Sequence, residues 1–161
     1  MSFLVTCLWF DGKAEEAAQF YVSLFPNSKV GAVTPYPSDA PGGNKAGDPM
    51  TVEFELDGQK FVGLNGGADF KFNEAISFQI PCRDQAEIDR YWNAIVGNGG
   101  EESVCGWCKD RFGLSWQVFP EQLPKLLAPD NPARAKAATA AFMQMKKLDI
   151  AEIEAAARAA A

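Results

Sequence analysis

One order of local signals occurs twice along this 161-residue chain, and that repetition restricts its architecture more than any other feature. The first pass opens with residues 3–10, an apolar β-prone run that stops at Asp11-Gly12. An amphipathic helix follows, carrying Ala14, Ala17, Ala18, Tyr21, Leu24 and Phe25 at three-and-four spacing, and Pro26-Asn27 ends it. Residues 29–36 read as a strand and 37–49, with three Gly and three Pro, as a loop. Segments 51–56 and 60–64 flank Asp57-Gly58, a pair suited to the tight primed turn of a hairpin. After a Gly-rich connector over 65–73, the signals start again. A strand is predicted over 75–80. Next comes a helix capped by Asp84, with Ile88, Tyr91, Trp92 and Ile95 on one face and Gly97-Asn98-Gly99-Gly100 as its end. Strand-like pieces follow at 101–104, 106–109 and 114–119.

The expected fold is therefore α+β: two βαβββ modules, residues 1–73 and 74–120, with a helical tail over 121–161, all in a single domain spanning 1–161. Pro132 lies just inside a helix start at Asn131, and Asp149 with Glu152 forms an acidic analogue of the capping box. Leu126, Leu127, Phe142, Met143, Met145, Leu148, Ile150 and Ile153 give the tail apolar faces that need cover, either from the back of the sheet or from a second subunit.

A composition of 47% hydrophobic and 22% charged residues suits a globular core, with no apolar run near the roughly 20 residues of a membrane span. A net charge of -6 gives no general attraction to nucleic acid or anionic lipid, so neither is an expected partner. Histidine is absent. That removes every Ser-His-Asp triad, Cys-His pair and His-ligated metal within the chain. The first residues lack a basic n-region and read as a strand, and four cysteines without an export signal suggest a reducing cytoplasm.

Alternation along two strands hints at a site. Ile76, Phe78 and Ile80 share one face and Ala75, Ser77 and Gln79 the other; likewise Leu114, Trp116 and Val118 oppose Ser115, Gln117 and Phe119. The polar-leaning face meets either a concave pocket or plain solvent. Aromatics near the strand ends, Phe10, Phe70, Phe72, Trp107 and Phe119, favour a pocket. Asn65, whose amide donates and accepts, belongs at its mouth. The candidate ligand-binding residues are thus Phe10, Asn65, Phe70, Phe72, Ser77, Trp107 and Gln117.

The segments Cys7-Leu8-Trp9-Phe10-Asp11-Gly12, Leu64-Asn65-Gly66-Gly67, Phe70-Lys71-Phe72-Asn73-Glu74-Ala75, Gly106-Trp107 and Phe112-Gly113-Leu114-Ser115-Trp116-Gln117 resemble the PhnB-like family. This is a branch of the glyoxalase, bleomycin-resistance and extradiol-dioxygenase (vicinal oxygen chelate) superfamily, often labelled demethylubiquinone methyltransferase. The resemblance implies paired βαβββ modules whose sheets curl into a cup, commonly in a homodimer. Metal-using relatives hold their ion on inward strand faces. Carried over, those positions fall on Thr6, Gly63 or Asn65, Ala75 or Ser77, and Gln117, none of them an anionic ligand or imidazole. No metal and no cofactor are expected.

Other chemistry has weaker support. Cys105-Gly106-Trp107-Cys108 has redox spacing but leads into a strand, without the helix N-terminus that would lower a thiol pKa. A four-thiolate zinc site with Cys7 and Cys82 lacks the usual paired spacing. The single glycine of Phe10-Asp11-Gly12-Lys13 is too little for an S-adenosylmethionine loop. Glu53, Glu55, Glu74, Lys109 and Asp110 are the acid-base candidates. The expected function is a metal-free receptacle for a small organic ligand. The alternatives are a cofactor-independent or S-adenosylmethionine-dependent enzyme using Glu53 or Glu74 as base, and a structural dimer whose cup is filled by side chains.

Overall fold

A computed structural model describes residues 4–160. The chain forms two compact units, with the boundary between Phe72 and Asn73. In the first, strand β1 (Thr6–Phe10) leads to helix α1 (Ala14–Leu24), followed by β2 (Lys29–Pro35), β3 (Pro49–Leu56) and β4 (Gln59–Asn65). The strands lie in the order β1-β4-β3-β2, β1 parallel to β4 and the other pairs antiparallel. Asp57 and Gly58 both have positive φ, 46° and 80°, as a primed hairpin turn requires. Helix α1 buries Ala14, Ala17, Ala18, Tyr21 and Leu24. Its alanines allow a close approach to the sheet: a Cβ on Gly63 would lie 3.0 Å from the Ala14 methyl.

The second unit repeats that topology. Strand β5 (Ser77–Cys82), helix α2 (Gln85–Val96), β6 (Glu101–Glu102), β7 (Trp107–Lys109) and β8 (Ser115–Pro120) form a sheet in the order β5-β8-β7-β6, β5 parallel to β8. The architecture is α+β, with two four-stranded mixed sheets and C-terminal helices. Asp84 caps α2, its carboxylate accepting from Glu87 N at 2.9 Å, and Ile88, Tyr91, Trp92 and Ile95 are buried as the spacing requires. One strand starts later than expected. The Asn73 side chain accepts from Ala75 N at 2.9 Å, an Asx turn that delays β5 to Ser77 and leaves Ile76 70% exposed instead of beside Phe78 and Ile80.

The tail forms α3 (Leu123–Leu126), α4 (Pro132–Phe142) and α5 (Ile150–Ala159). Asn131 and Asp149 cap α4 and α5, each accepting at 3.0 Å from a backbone N–H three residues on. The cap at α5 is not a reciprocal box, because the Asp149 N–H points to Met145 Sδ. The tail helices cover much of their apolar surface among themselves. Leu123, Ala138, Leu148, Ile153 and Ala157 bury one another, with Phe119, Leu126, Leu127, Phe142 and Met145 around them. Backbone bonds from Cys105 N to Met145 O (2.7 Å) and Gly106 N to Lys146 O (2.8 Å) fasten this cluster to the β6–β7 turn. Gln85 ties it to α2, donating to Leu148 O at 3.0 Å and accepting from Ile150 N at 2.9 Å. No helix among the described residues is long and apolar enough to cross a membrane.

Candidate functional site

The sheet of the second unit has two chemically distinct faces. Ile80, Cys82, Trp116, Val118 and Cys108 are buried on the side that packs on α2. Burial pushes the Cys82 and Cys108 thiols up to about 12, so neither is a ready thiolate. Strand parity turns Ser77, Gln79, Trp107, Gln117 and Phe119 to the opposite side. Gln117 stands at the middle of that face, in register with Gln79 on β5 and Trp107 on β7. Its amide donates to Ser77 Oγ at 2.8 Å and accepts from Gln79 Nε2 at 3.4 Å.

Above this polar row lies a cleft of about 730 Å³, walled on the sheet side by Trp107 and Phe119 and on the tail side by Leu123, Pro124, Leu127, Phe142 and Met143. At its rim Glu74 pairs with Lys109, whose ammonium lowers the Glu74 pKa below the usual carboxylate range. Glu74 is therefore a weaker base than an ordinary glutamate. Asp110 is a brace: its carboxylate accepts from Phe112 N (2.8 Å), Leu114 N (3.1 Å) and the Trp116 indole (2.9 Å). Glu55 pairs with Lys29 at 3.4 Å, and Glu53 is exposed. All four cysteines are free, with Cys105 Sγ 3.4 Å from Met143 Sδ at the cleft wall.

Of the residues proposed from sequence, Trp107 and Gln117 line this cleft and Ser77 holds Gln117 in place. The other four belong to the first unit. Asn65, 4% exposed, has both ends of its amide committed to backbone: Oδ1 accepts from Ala14 N and Nδ2 donates to Pro49 O, each at 2.9 Å. Tyr36 OH donates to its carbonyl at 2.6 Å. Phe10 is also 4% exposed, with Phe72 edge-on at 5.4 Å, whereas Phe70 is 65% exposed and meets Trp9 edge-on at 4.9 Å. Cleft residues absent from the sequence-based set include Gln79, Glu74, Phe119, the Ser103–Cys105 turn and the apolar tail side chains. Gln79 had a signal, two residues from Ser77 on the same strand face.

The register also corrects the positions carried over from metal-using relatives. Thr6, Leu8 and Phe10 share a face with Phe61, Gly63 and Asn65, and Gly63 and Asn65 touch the start of α1. Thr6, Gly63 and Asn65 are thus on the helix-packed side of their sheet, one residue out of phase with its other face. Ala75 precedes its strand, and Ser77 and Gln117 are neutral and bonded to each other. Such a donor set does not fit a divalent metal. Among the described residues no three Cys, Asp or Glu side chains converge.

Comparisons with known proteins agree with this architecture. The profile of the 3-demethylubiquinone-9 3-methyltransferase family matches residues 2–119. A Bacillus cereus protein described as a 3-demethylubiquinone-9 3-methyltransferase, PhnB protein, is 32% identical, with a TM-score of 0.64 over 73% of this chain and 98% of its own. A Pseudomonas aeruginosa protein (20% identity, TM-score 0.60) is matched over 74% of this chain and 98% of its own. A genomically encoded fosfomycin resistance protein of Listeria monocytogenes (16%, TM-score 0.50) is matched over 79% and 97%. At these lower identities the likeness is one of fold. No curated protein matches the sequence. With the family profile spanning both βαβββ modules, the chain belongs to the 3-demethylubiquinone-9 3-methyltransferase family, as does its PhnB relative from Bacillus cereus.

Proposed function

We propose that this chain is a metal-free binding protein for a small organic molecule, held in the cleft of the second unit over Ser77, Gln79 and Gln117 and against Trp107. The observation that carries this reading is the pairing of convergent side-chain amides with an otherwise apolar wall, which is how small-molecule sites fix orientation while burying area. Phe10, Phe72 and Asn65 support the first unit in this reading, and Phe70 is an exposed aromatic available to a ligand or a second chain. A homodimer in the cytoplasm completes the proposal. The wholly exposed strand β2, with Val30 and Val33, supports pairing of chains, and four free thiols suit a reducing compartment.

The test is native mass spectrometry of the purified chain, followed by a thermal-shift screen of small organic compounds and S-adenosylmethionine. A saturable ligand is expected, with affinity reduced at least about tenfold by Gln117→Leu, in line with losing a buried amide contact. Absence of any cargo or shift would overturn the reading. A saturable shift with S-adenosylmethionine would favour the enzyme alternative.

A further inference from the structure

The cleft has two halves of different origin. The family match ends at residue 119, and the Bacillus cereus relative, matched over 98% of its own length, accounts for only 73% of this chain. The polar floor and Trp107 lie inside the matched region. Leu123 and Phe142 on the tail helices, and Leu127 and Met143 just past their ends, lie beyond it. Those helices are not a loose appendage, because their own apolar cluster and the two backbone bonds to the Cys105-Gly106 turn fix them beside the sheet. The tail wall contributes only apolar side chains to the cleft. The rim charges Glu74 and Lys109 are paired with each other, so among the described residues no unpaired charge of either sign lines the cleft.

Building on the proposed binding role, we infer that the C-terminal helices are the specificity element of this chain and that its ligand is uncharged: an apolar body against the tail wall, carrying a carbonyl or amide group that meets Gln79 and Gln117. A charged ligand would lose hydration on entering without gaining a counter-ion, whereas a neutral carbonyl or amide finds both donors and acceptors on the two glutamines. An open sheet face alone would offer that polar row to water. The tail converts it into a partly apolar enclosure, where one matched hydrogen bond discriminates strongly.

The test uses the full chain and two fluorescent probes of similar size, the uncharged carbonyl-bearing dye Nile red and the anion 1-anilinonaphthalene-8-sulfonate. Saturable one-to-one binding of Nile red is expected, at least about tenfold tighter than the sulfonate. Met143 is 53% exposed and outside the tail core, so Met143→Glu should leave the circular dichroism unchanged and lower the unfolding midpoint only slightly, by the cost of an anion at the end of α4. It should still weaken Nile red at least tenfold. Preference for the sulfonate, or Nile red affinity unchanged in Met143→Glu while Gln117→Leu still weakens it, would overturn the inference and leave the binding role standing. Affinity unchanged in both variants would overturn the inference and remove the cleft from the proposed function as well.

Discussion

Asn65 shows how one side chain can decide the geometry of a unit. Its amide accepts from the first N–H of α1 and donates to the first carbonyl of β3, so the ends of three elements meet on a single residue. Lys13, the residue before α1, supplies no side-chain cap, which leaves Asn65 as a cap delivered from a distant strand. Asn65→Ala strands a buried donor and a buried acceptor, and should cost about 2–3 kcal/mol in urea unfolding. Asn65→Asp should recover part of that, since a carboxylate still accepts from Ala14 N at the positive end of the helix. From the sequence, the dual capacity of this amide was legible but its destination was not. Choosing between a ligand and the backbone requires knowing that the end of β4 lies beside the start of α1, a parallel pairing that no local spacing reveals.

Among the elements, the helices and hairpin were the most legible because their signals are local. Asp57-Gly58 determines its own turn, and Asp84 and the Ile88–Tyr91–Trp92–Ile95 stripe define α2 without outside help. Strand β5 was less so. Apolar alternation placed Ile76 on the inner face, but an Asx turn at Asn73 overrode it at the first residues. The tail was the hardest to read, since its apolar residues name a need for cover and not the cover itself. Helix α2 also supports a pH prediction. Arg83 pairs with Glu87 and its backbone N–H donates to the same carboxylate at 2.9 Å, which together hold Glu87 down to about 2 from 4.5. A carboxylate depressed on folding stabilises above its unfolded value, and that contribution fades as pH falls from 4.5 towards about 2. Unfolding midpoints of the native chain and Glu87→Gln should therefore differ near neutrality and converge on acidification. The gap should be well under 1 kcal/mol, since the pair is solvent-screened.

For the whole molecule, the repeated strand order β1-β4-β3-β2 and β5-β8-β7-β6 shows that one supersecondary plan serves two different ends. The first copy fills its helix-facing side with aromatics and Asn65, and the second presents an amide row beneath an added wall. The duplication was visible in the sequence because turn residues and helix stops recur in order. The division of labour was not, because it depends on strand parity, where a shift of one residue exchanges the faces.

The anchored amide of Asn65 has a consequence for how this protein ages. Asn65-Gly66 and Asn98-Gly99 are both asparagine–glycine steps, the sequence most open to succinimide closure and deamidation. Asn98 is exposed beyond the end of α2, while Asn65 is clamped from both sides by backbone partners. Peptide mapping after prolonged storage should find isoaspartate at residue 98 first. At residue 65 it should accumulate only where the chain has already unfolded, so that position records past loss of structure.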